Sequence, residues 1–206
     1  MDKKIVPIVI PGDMDNLALP DPELLNQYID LEQRIIWISD DIDVYTLEVI
    51  KNILNWNRAD RGKKVEDRKP IKLFFFTNGG MLDVYNSVSD VIEMSQTPVW
   101  GVNMGVCASA GAFIFLSCHK RYMLPSSYFL FHKGSIGFNG NAQDVMSLIR
   151  DYQEQLEFLV QNLVAKTNFT EEEMEEKIMS DFYVRAQMAL DKGVVDEVVE
   201  NIDLIL

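Results

Sequence analysis

Cysteine is nearly missing: Cys107 and Cys118 are the two in 206 residues. Two thiols make no disulfide framework, and no Cys/His grouping has the spacing of metal ligands. Histidine is equally scarce, so His119 and His132 are the only imidazoles available as a base. Basic charge is in deficit, 19 residues against 32 acidic for a net charge of −13. Beyond Lys63-Lys64 and its neighbours no basic cluster stands out, and a nucleic-acid surface gains no support. Long apolar runs are lacking as well. Met1 to Pro11 sets two lysines before an apolar stretch that two prolines interrupt, too short and broken for a signal peptide or a membrane span. What remains is an ordinary globular composition, 48% hydrophobic and 25% charged. Its simplest expectation is one cored domain in the cytoplasm, needing no cofactor and no metal.

Residues 1–22 are rich in Asp, Pro and Asn without a sustained period, and are expected to form an extended arm preceding a single domain over 23–206. A short helix is predicted over Glu23 to Leu31, and a buried strand over Arg34 to Ser39. Leu47, Ile50 and Leu54 at helical spacing predict a crossover helix within Val44 to Trp56. Arg58 to Lys69, almost wholly polar, reads as a surface loop. Ile71 to Phe76 is a second apolar strand, closed by the turn Thr77-Asn78-Gly79-Gly80. The paired glycines signal either unusual backbone angles at an approach for ligand or ordinary loop punctuation. A helix with Val84, Val88, Val91 and Ile92 on one face follows, and Pro98 starts a third strand. This alternation predicts a parallel sheet with right-handed crossovers. Both strand-to-helix turns, at Gly79-Gly80 and at Ser109, then emerge at its carboxyl edge, where open α/β folds place their sites.

Ser109 sits in Gly105-Val106-Cys107-Ala108-Ser109-Ala110-Gly111-Ala112, where a strand gives way to a helix. Small neighbours admit a substrate carbonyl, and the first N–H groups of the helix favour developing negative charge. A capping serine in a small-residue turn fits the same pattern. Of the two imidazoles, His119 is placed at the polar end of that helix, roughly 15 Å from the serine at about 1.5 Å per residue, where it suits a cap. His132 ends a strand, Tyr128 to His132, and is favoured as a base. Val145, Ile149, Tyr152, Leu156, Leu159 and Leu163 recur in steps of four and three on one long helix. The stripe suits packing on another helix, including one of another subunit, or on its own core. Thr170-Glu171-Glu172-Glu173 has the form of a capping box opening an acidic helix that ends near Ser180. Gln187 to Asp191 reads as a brief helix stopped by Gly193. Composition alone gives no reason to single out Asp181.

Taken in order, several short motifs resemble the ClpP peptidase family, the proteolytic subunits of Clp proteases. They are Arg34-Ile35-Ile36 with Asp43 nearby, the Gly79-Gly80 turn, Gly105-x-x-Ala108-Ser109-x-Gly111-Ala112, and Leu124-Pro125-Ser126-Ser127 leading to His132. Further on come Gly137-x-x-Gly140-x-Ala142-x-Asp144 and the run from Asp181 through Ala186, Ala189, Gly193 and Asp196. The likeness extends from about Leu31 to Val199. It implies an α/β, crotonase-like fold of repeated β-β-α units, with a mostly parallel sheet and a protruding handle helix at about 142–166. It also implies a Ser109, His132, Asp181 triad, an oxyanion hole from the N–H groups of Gly80 and Ala110, and substrate bound as an added strand by Met81, Gly134, Ser135 and Ile136. The activity implied is a serine endopeptidase acting on unfolded polypeptide inside a homo-oligomeric chamber. Its subunits form heptameric rings that can stack, with an AAA+ unfoldase as partner. Two alternatives are a crotonase-like enzyme acting on an acyl thioester and a non-catalytic ring subunit paired with an active paralogue. The chain departs from the family pattern at Thr77-Asn78 for Ser-Pro, Ala110 for Met, Lys133-Gly134 for Gln-Pro, and Phe182 for an arginine that helps join rings.

Overall fold

The computed structural model describes residues 22–134, 137 and 139–206. Nearly all of the expected arm, together with Ser135 and Ile136, therefore lies outside the described residues. The chain divides into two compact units, Met1–Gln33 and Arg34–Leu206. In the first, helix α1 spans Pro22–Glu32, close to the predicted helix, and exposes Leu24, Leu25, Tyr28 and Ile29.

In the second unit, β1 (Ile35–Ile38), β2 (Ile71–Thr77), β3 (Val99–Ala108), β4 (Lys120–Met123) and β7 (Glu197–Val198) are hydrogen-bonded in that order. β5 (Tyr128–Phe131) pairs with β3 and with β6 (Phe182–Arg185). Every pair is parallel except β5 with β6. The crossovers are α2 (Glu48–Ala59), α3 (Leu82–Met94) and α4 (Ala110–Leu116). All seven residues of α4 are buried, as an apolar helix without a polar face requires.

The ten-residue β3 changes partner partway along. Trp100 to Asn103 pair with β4, whereas Val106 to Ala108 pair with β5. Buried Asn103 secures the changeover: its Nδ2 donates to the Tyr128 carbonyl at 2.8 Å, and its Oδ1 accepts the Gly105 N–H at 3.0 Å. Its own carbonyl accepts from Ser127 Oγ at 3.0 Å. Gly105 is bare because a Cβ there would stand 2.6 Å from the Phe76 ring. The bend carries the end of β3, and Ser109 after it, onto the edge of β5.

Two expectations change. The helix after Ser109 stops at Leu116, and β4, which periodicity did not reveal, starts at Lys120. His119 is thus a strand-entry residue: its Nδ1 accepts the Val99 N–H at 2.9 Å, and its own N–H donates to the Val99 carbonyl at 2.8 Å. The polar stretch 58–69 is not all surface either. Asp60 is fully buried because Arg34 reaches it with two guanidinium nitrogens, at 2.5 and 3.0 Å, and Lys63 with its ammonium at 2.6 Å.

Helix α5 spans Ala142–Lys166 and is capped by Asn141, whose side chain accepts from the N–H groups of Gln143 and Asp144. Its 25 residues make a rod of about 37 Å. Leu159 and Leu163 are buried in the core, with Leu156, Val160 and Val164 packed around them, so the last turns of the stripe serve the subunit's own core. Met146 and Leu148, in the first turns, are exposed. The Thr170 capping box forms as predicted at α6 (Glu171–Lys177), and α7 spans Ala186–Asp191.

Candidate active site

Ser109 is half-buried between β3 and α4 with φ 51° and ψ −129°. Arg34 is the other non-glycine residue at positive φ among the described residues. Such a backbone costs about 1–3 kcal/mol and persists only where its surroundings hold it. Here the Ser109 N–H is held by the Leu130 carbonyl at 2.9 Å, and its carbonyl accepts the Ala112 N–H at 2.9 Å. The sharp strand-to-helix turn puts Ser109 at the cavity wall.

The glycine pair packs directly against this turn. A Cβ on Gly79 would lie 2.5 Å from Ser109 Cβ, and one on Gly80 would lie 2.2 Å from the Ile42 carbonyl oxygen. Ile42 clamps the turn: its N–H donates to the Gly79 carbonyl and its carbonyl accepts the Met81 N–H, both at 2.8 Å. That pairing skips Gly80. The N–H groups of Gly80 and of Ala110, the first residue of α4, reach no acceptor among the described residues. Thr77 supplies the side chain that shapes the turn, donating to the Asp40 carbonyl at 2.6 Å and accepting the Gly79 N–H at 3.1 Å.

The β5–β6 ladder brings the remaining pair together. Phe131 pairs with Phe182 in antiparallel register, so His132, one residue beyond, faces Asp181, one residue before. His132 Nδ1 lies 3.9 Å from Asp181 Oδ1, beyond hydrogen-bond reach. The Asp181 side chain is 57% exposed against 31% for His132, so water competes for the carboxylate. Among the described residues no hydrogen bond joins Ser109 to His132. Phe182 lies edge-on to Phe169 at 5.7 Å between ring centroids, and Lys177 sits 4.9 Å over its ring, so this side chain packs within the subunit.

A cavity of about 600 Å³ opens between these parts. Gly79, Gly80, Met81, Ser109, His132 and Gly134 line one side, and Leu148, Asp151, Tyr152, Gln155 and Leu159 of α5 form the other. Asp181 stands behind His132 and does not line it. The α5 wall was not anticipated; Tyr152 carried only the signal of a packing position in the apolar stripe. Cys107, two residues before Ser109, is fully buried, and burial pushes its thiol well above the usual range, which removes a thiolate as competitor. His119 is also unsuited to a base's role, since burial lowers its pKa and the Val99 N–H occupies its Nδ1. No group of three His, Cys, Asp or Glu side chains among the described residues is arranged to hold a metal ion. No helix among them is long and apolar enough to cross a membrane.

The Clp protease family model matches residues 24–202. An ATP-dependent Clp protease proteolytic subunit from Paracoccus denitrificans is 31% identical over 137 residues, covering 66% of this chain and 69% of the relative. ATP-dependent Clp protease proteolytic subunit 2 from Bifidobacterium longum (strain NCC 2705) is 30% identical over 203 residues, covering 96% of this chain and 92% of the relative. Among solved structures, a ClpP1 point mutant from Listeria monocytogenes superposes with a TM-score of 0.75 over 88% of this chain and 99% of its own, at 23% identity. That last likeness bears on the fold, a mostly parallel α/β sheet of the ClpP and crotonase type.

Proposed function

Because the chain belongs to the Clp protease family, we propose that it is a serine endopeptidase in which Ser109 is the nucleophile, His132 the general base and Asp181 the residue that orients the imidazole. One observation carries this reading: Ser109, in a strained turn, shares a cavity with His132 and with Gly80, whose N–H is unclaimed. Ser109 Oγ attacks the scissile carbonyl as its proton passes to His132. The C–N bond then breaks, and His132 returns that proton to the leaving amine. Water, deprotonated by the same imidazole, hydrolyses the acyl-enzyme. Through both steps the Gly80 and Ala110 N–H groups hold the oxyanion, and losing one such donor typically costs about 10²–10³ in turnover. Substrate binds as an added strand, with Met81, Gly134, Ser135 and Ile136 as the residues that take it. The His132 to Asp181 separation of 3.9 Å must shorten by about 1 Å for the orienting bond, a tightening common when substrate binds.

The proposal extends to assembly. Subunits form a homo-oligomeric ring in the cytoplasm, with an AAA+ unfoldase delivering unfolded chains to an enclosed chamber and α5 as the handle by which rings stack. A second reading, a non-catalytic ring subunit that accompanies an active paralogue, draws on the open His132–Asp181 geometry. Labelling with a fluorophosphonate, alongside native mass, separates them. The peptidase requires labelling of the wild type at Ser109 and none in Ser109→Ala; equal labelling of both, or of neither, sinks it. An acyl-thioester enzyme would instead bind acyl-CoA and be indifferent to Ser109→Ala.

A further inference from the structure

Among the polar side chains on the cavity wall that the serine-peptidase reading leaves without a role, Tyr152 is one that reaches the strand end carrying His132. Tyr152 lies on the face of α5 that lines the cavity, and its hydroxyl donates to the carbonyl of Lys133. The side chain is half-buried, and burial raises the phenol's pKa, which keeps it a protonated donor at neutral pH.

Lys133 follows His132, and the chain there has few other holds. Upstream, the last ladder pair is Phe131 with Phe182. The Lys133 N–H donates to the Ile178 carbonyl at 3.2 Å, the long end of the normal range. The ammonium of Lys133 meets Met179 Sδ, which places the side chain and not the peptide. Next comes Gly134, at φ 75°, a residue with wide backbone freedom. A Cβ on Gly134 would lie 3.5 Å from the Tyr152 hydroxyl, so the phenol also borders this residue. The Lys133 carbonyl is therefore the point at which α5 grips the strand end that carries the base.

We infer that Tyr152 is a positioning residue for His132: its hydroxyl ties the peptide between Lys133 and Gly134 to α5, and so fixes the backbone from which the imidazole reaches Ser109. This rests on the serine-peptidase reading above. The hydroxyl takes no part in bond making. Its contribution is geometric, and it is separable from packing because phenylalanine fills almost the same volume without the donor.

The test is saturation kinetics of fluorophosphonate labelling on the full-length protein, wild type against Tyr152→Phe. In this reaction the Ser109 Oγ–P bond forms, the P–F bond breaks, fluoride leaves and the serine proton passes to His132. The limiting labelling rate should fall roughly 5- to 20-fold, less than the 10²-fold typical of a 1 Å misplacement because the β5–β6 ladder and Ile178 still hold. The half-saturating probe concentration should stay within about twofold, the split expected when a group acts in the transition state and not in binding. Melting midpoint and native mass should match the wild type. An unchanged limiting rate, an effect confined to half-saturation, or a loss that appears only together with a lowered midpoint or altered mass would each overturn the inference. A wild type that does not label at all overturns the peptidase reading itself; a labelling wild type with an indifferent Tyr152→Phe overturns only the positioning role.

Discussion

Gly79→Ala isolates the contact on which the geometry of Ser109, the proposed nucleophile, depends. The new methyl would stand 2.5 Å from Ser109 Cβ, 2.8 Å from the Ala108 carbonyl oxygen and 3.1 Å from the Ala110 nitrogen. Carbon atoms pack at about 3.5–4.0 Å, so the overlap with Ser109 is about 1 Å, and two of the three neighbours are backbone atoms that no rotamer change can move. Ala108 and Ala110 are themselves buried, which closes the ways out. Gly79 also has φ 101°, where an L-residue pays about 1–2 kcal/mol. Overpacking adds about 1–3 kcal/mol. The total of about 2–5 kcal/mol lowers the melting midpoint by about 4–20 °C, at about 2–4 °C per kcal/mol for a chain of this size. A 1 Å displacement at a reacting centre costs about 10² in rate. The assay is labelling by fluorophosphonate at a temperature well below both midpoints, paired with thermal unfolding. A variant that melts early yet labels within about threefold of wild type would refute the argument, because misplacing Ser109 is expected to cost far more than that.

Three further outcomes follow from the same geometry. Asp181→Asn keeps the shape of the side chain but no longer stabilises an imidazolium; turnover should fall by about 10²–10⁴ while the melting midpoint holds, since the group is largely exposed, and a peptide-cleavage rate equal to wild type would remove Asp181 from the triad. Asp60→Asn leaves Arg34 buried without its charge partner and should cost about 3 kcal/mol near neutral pH. The hydrogen bond from Arg34, and to a lesser degree the Lys63 contacts, outweighs burial and holds the Asp60 carboxyl far below the usual carboxylate range. Its contribution is complete above the unfolded value of about 3.9 and is lost as pH falls through the lower folded value, so the gap in unfolding free energy between wild type and Asp60→Asn should narrow below about pH 4, and a constant gap from pH 7 to pH 3 would count against it. His119→Asn should label with fluorophosphonate as wild type does. Burial lowers the His119 pKa, so the unfolded chain binds the extra proton first and the wild type loses stability as pH drops below about 6.5; the variant should lack that slope, and loss of labelling in it would reopen the choice of base.

The elements that positioned the site were those whose signal is local. Apolar runs marked β2 and β3, helical spacing marked α3, and small residues marked the turn at Ser109. Because β2 and β3 are parallel neighbours, their two turns had to meet, and they do, at the distance of one absent methyl group. Local pattern failed where pairing is distant or short. β4 has four residues and borrows its stability from β3 and β7, so Ser117 to Arg121 read as the tail of a helix. Asp60 looked like one more charge in a polar loop because its partner Arg34 is 26 residues away. Asp181 had no distinguishing neighbour in sequence; family likeness alone singled it out, and its position opposite His132 depends on a ladder between strands some fifty residues apart. Tyr152 was hidden for a different reason, since an aromatic in an apolar stripe gives no sign that its hydroxyl bonds outward.

The two halves of the site are held by different means, and this bears on how each would respond to change. The turn at Ser109 is enforced by backbone hydrogen bonds, by glycine contacts shorter than any side chain tolerates and by a fully buried α4, so perturbing it disturbs the core. His132 and Asp181 stand at the end of a two-strand antiparallel edge, half-exposed, with a gap between them too long for a hydrogen bond. Their arrangement contributes little to stability and has little protection from solvent. A closure of about 1 Å there requires only small shifts at a sheet edge, whereas a comparable shift of Ser109 would have to move Gly79, Ile42 and the start of α4 together. On the proposed peptidase reading, activity is therefore most easily tuned from the His132 side, and α5, which reaches the residue after His132 through the Tyr152 hydroxyl, is the element placed to do it.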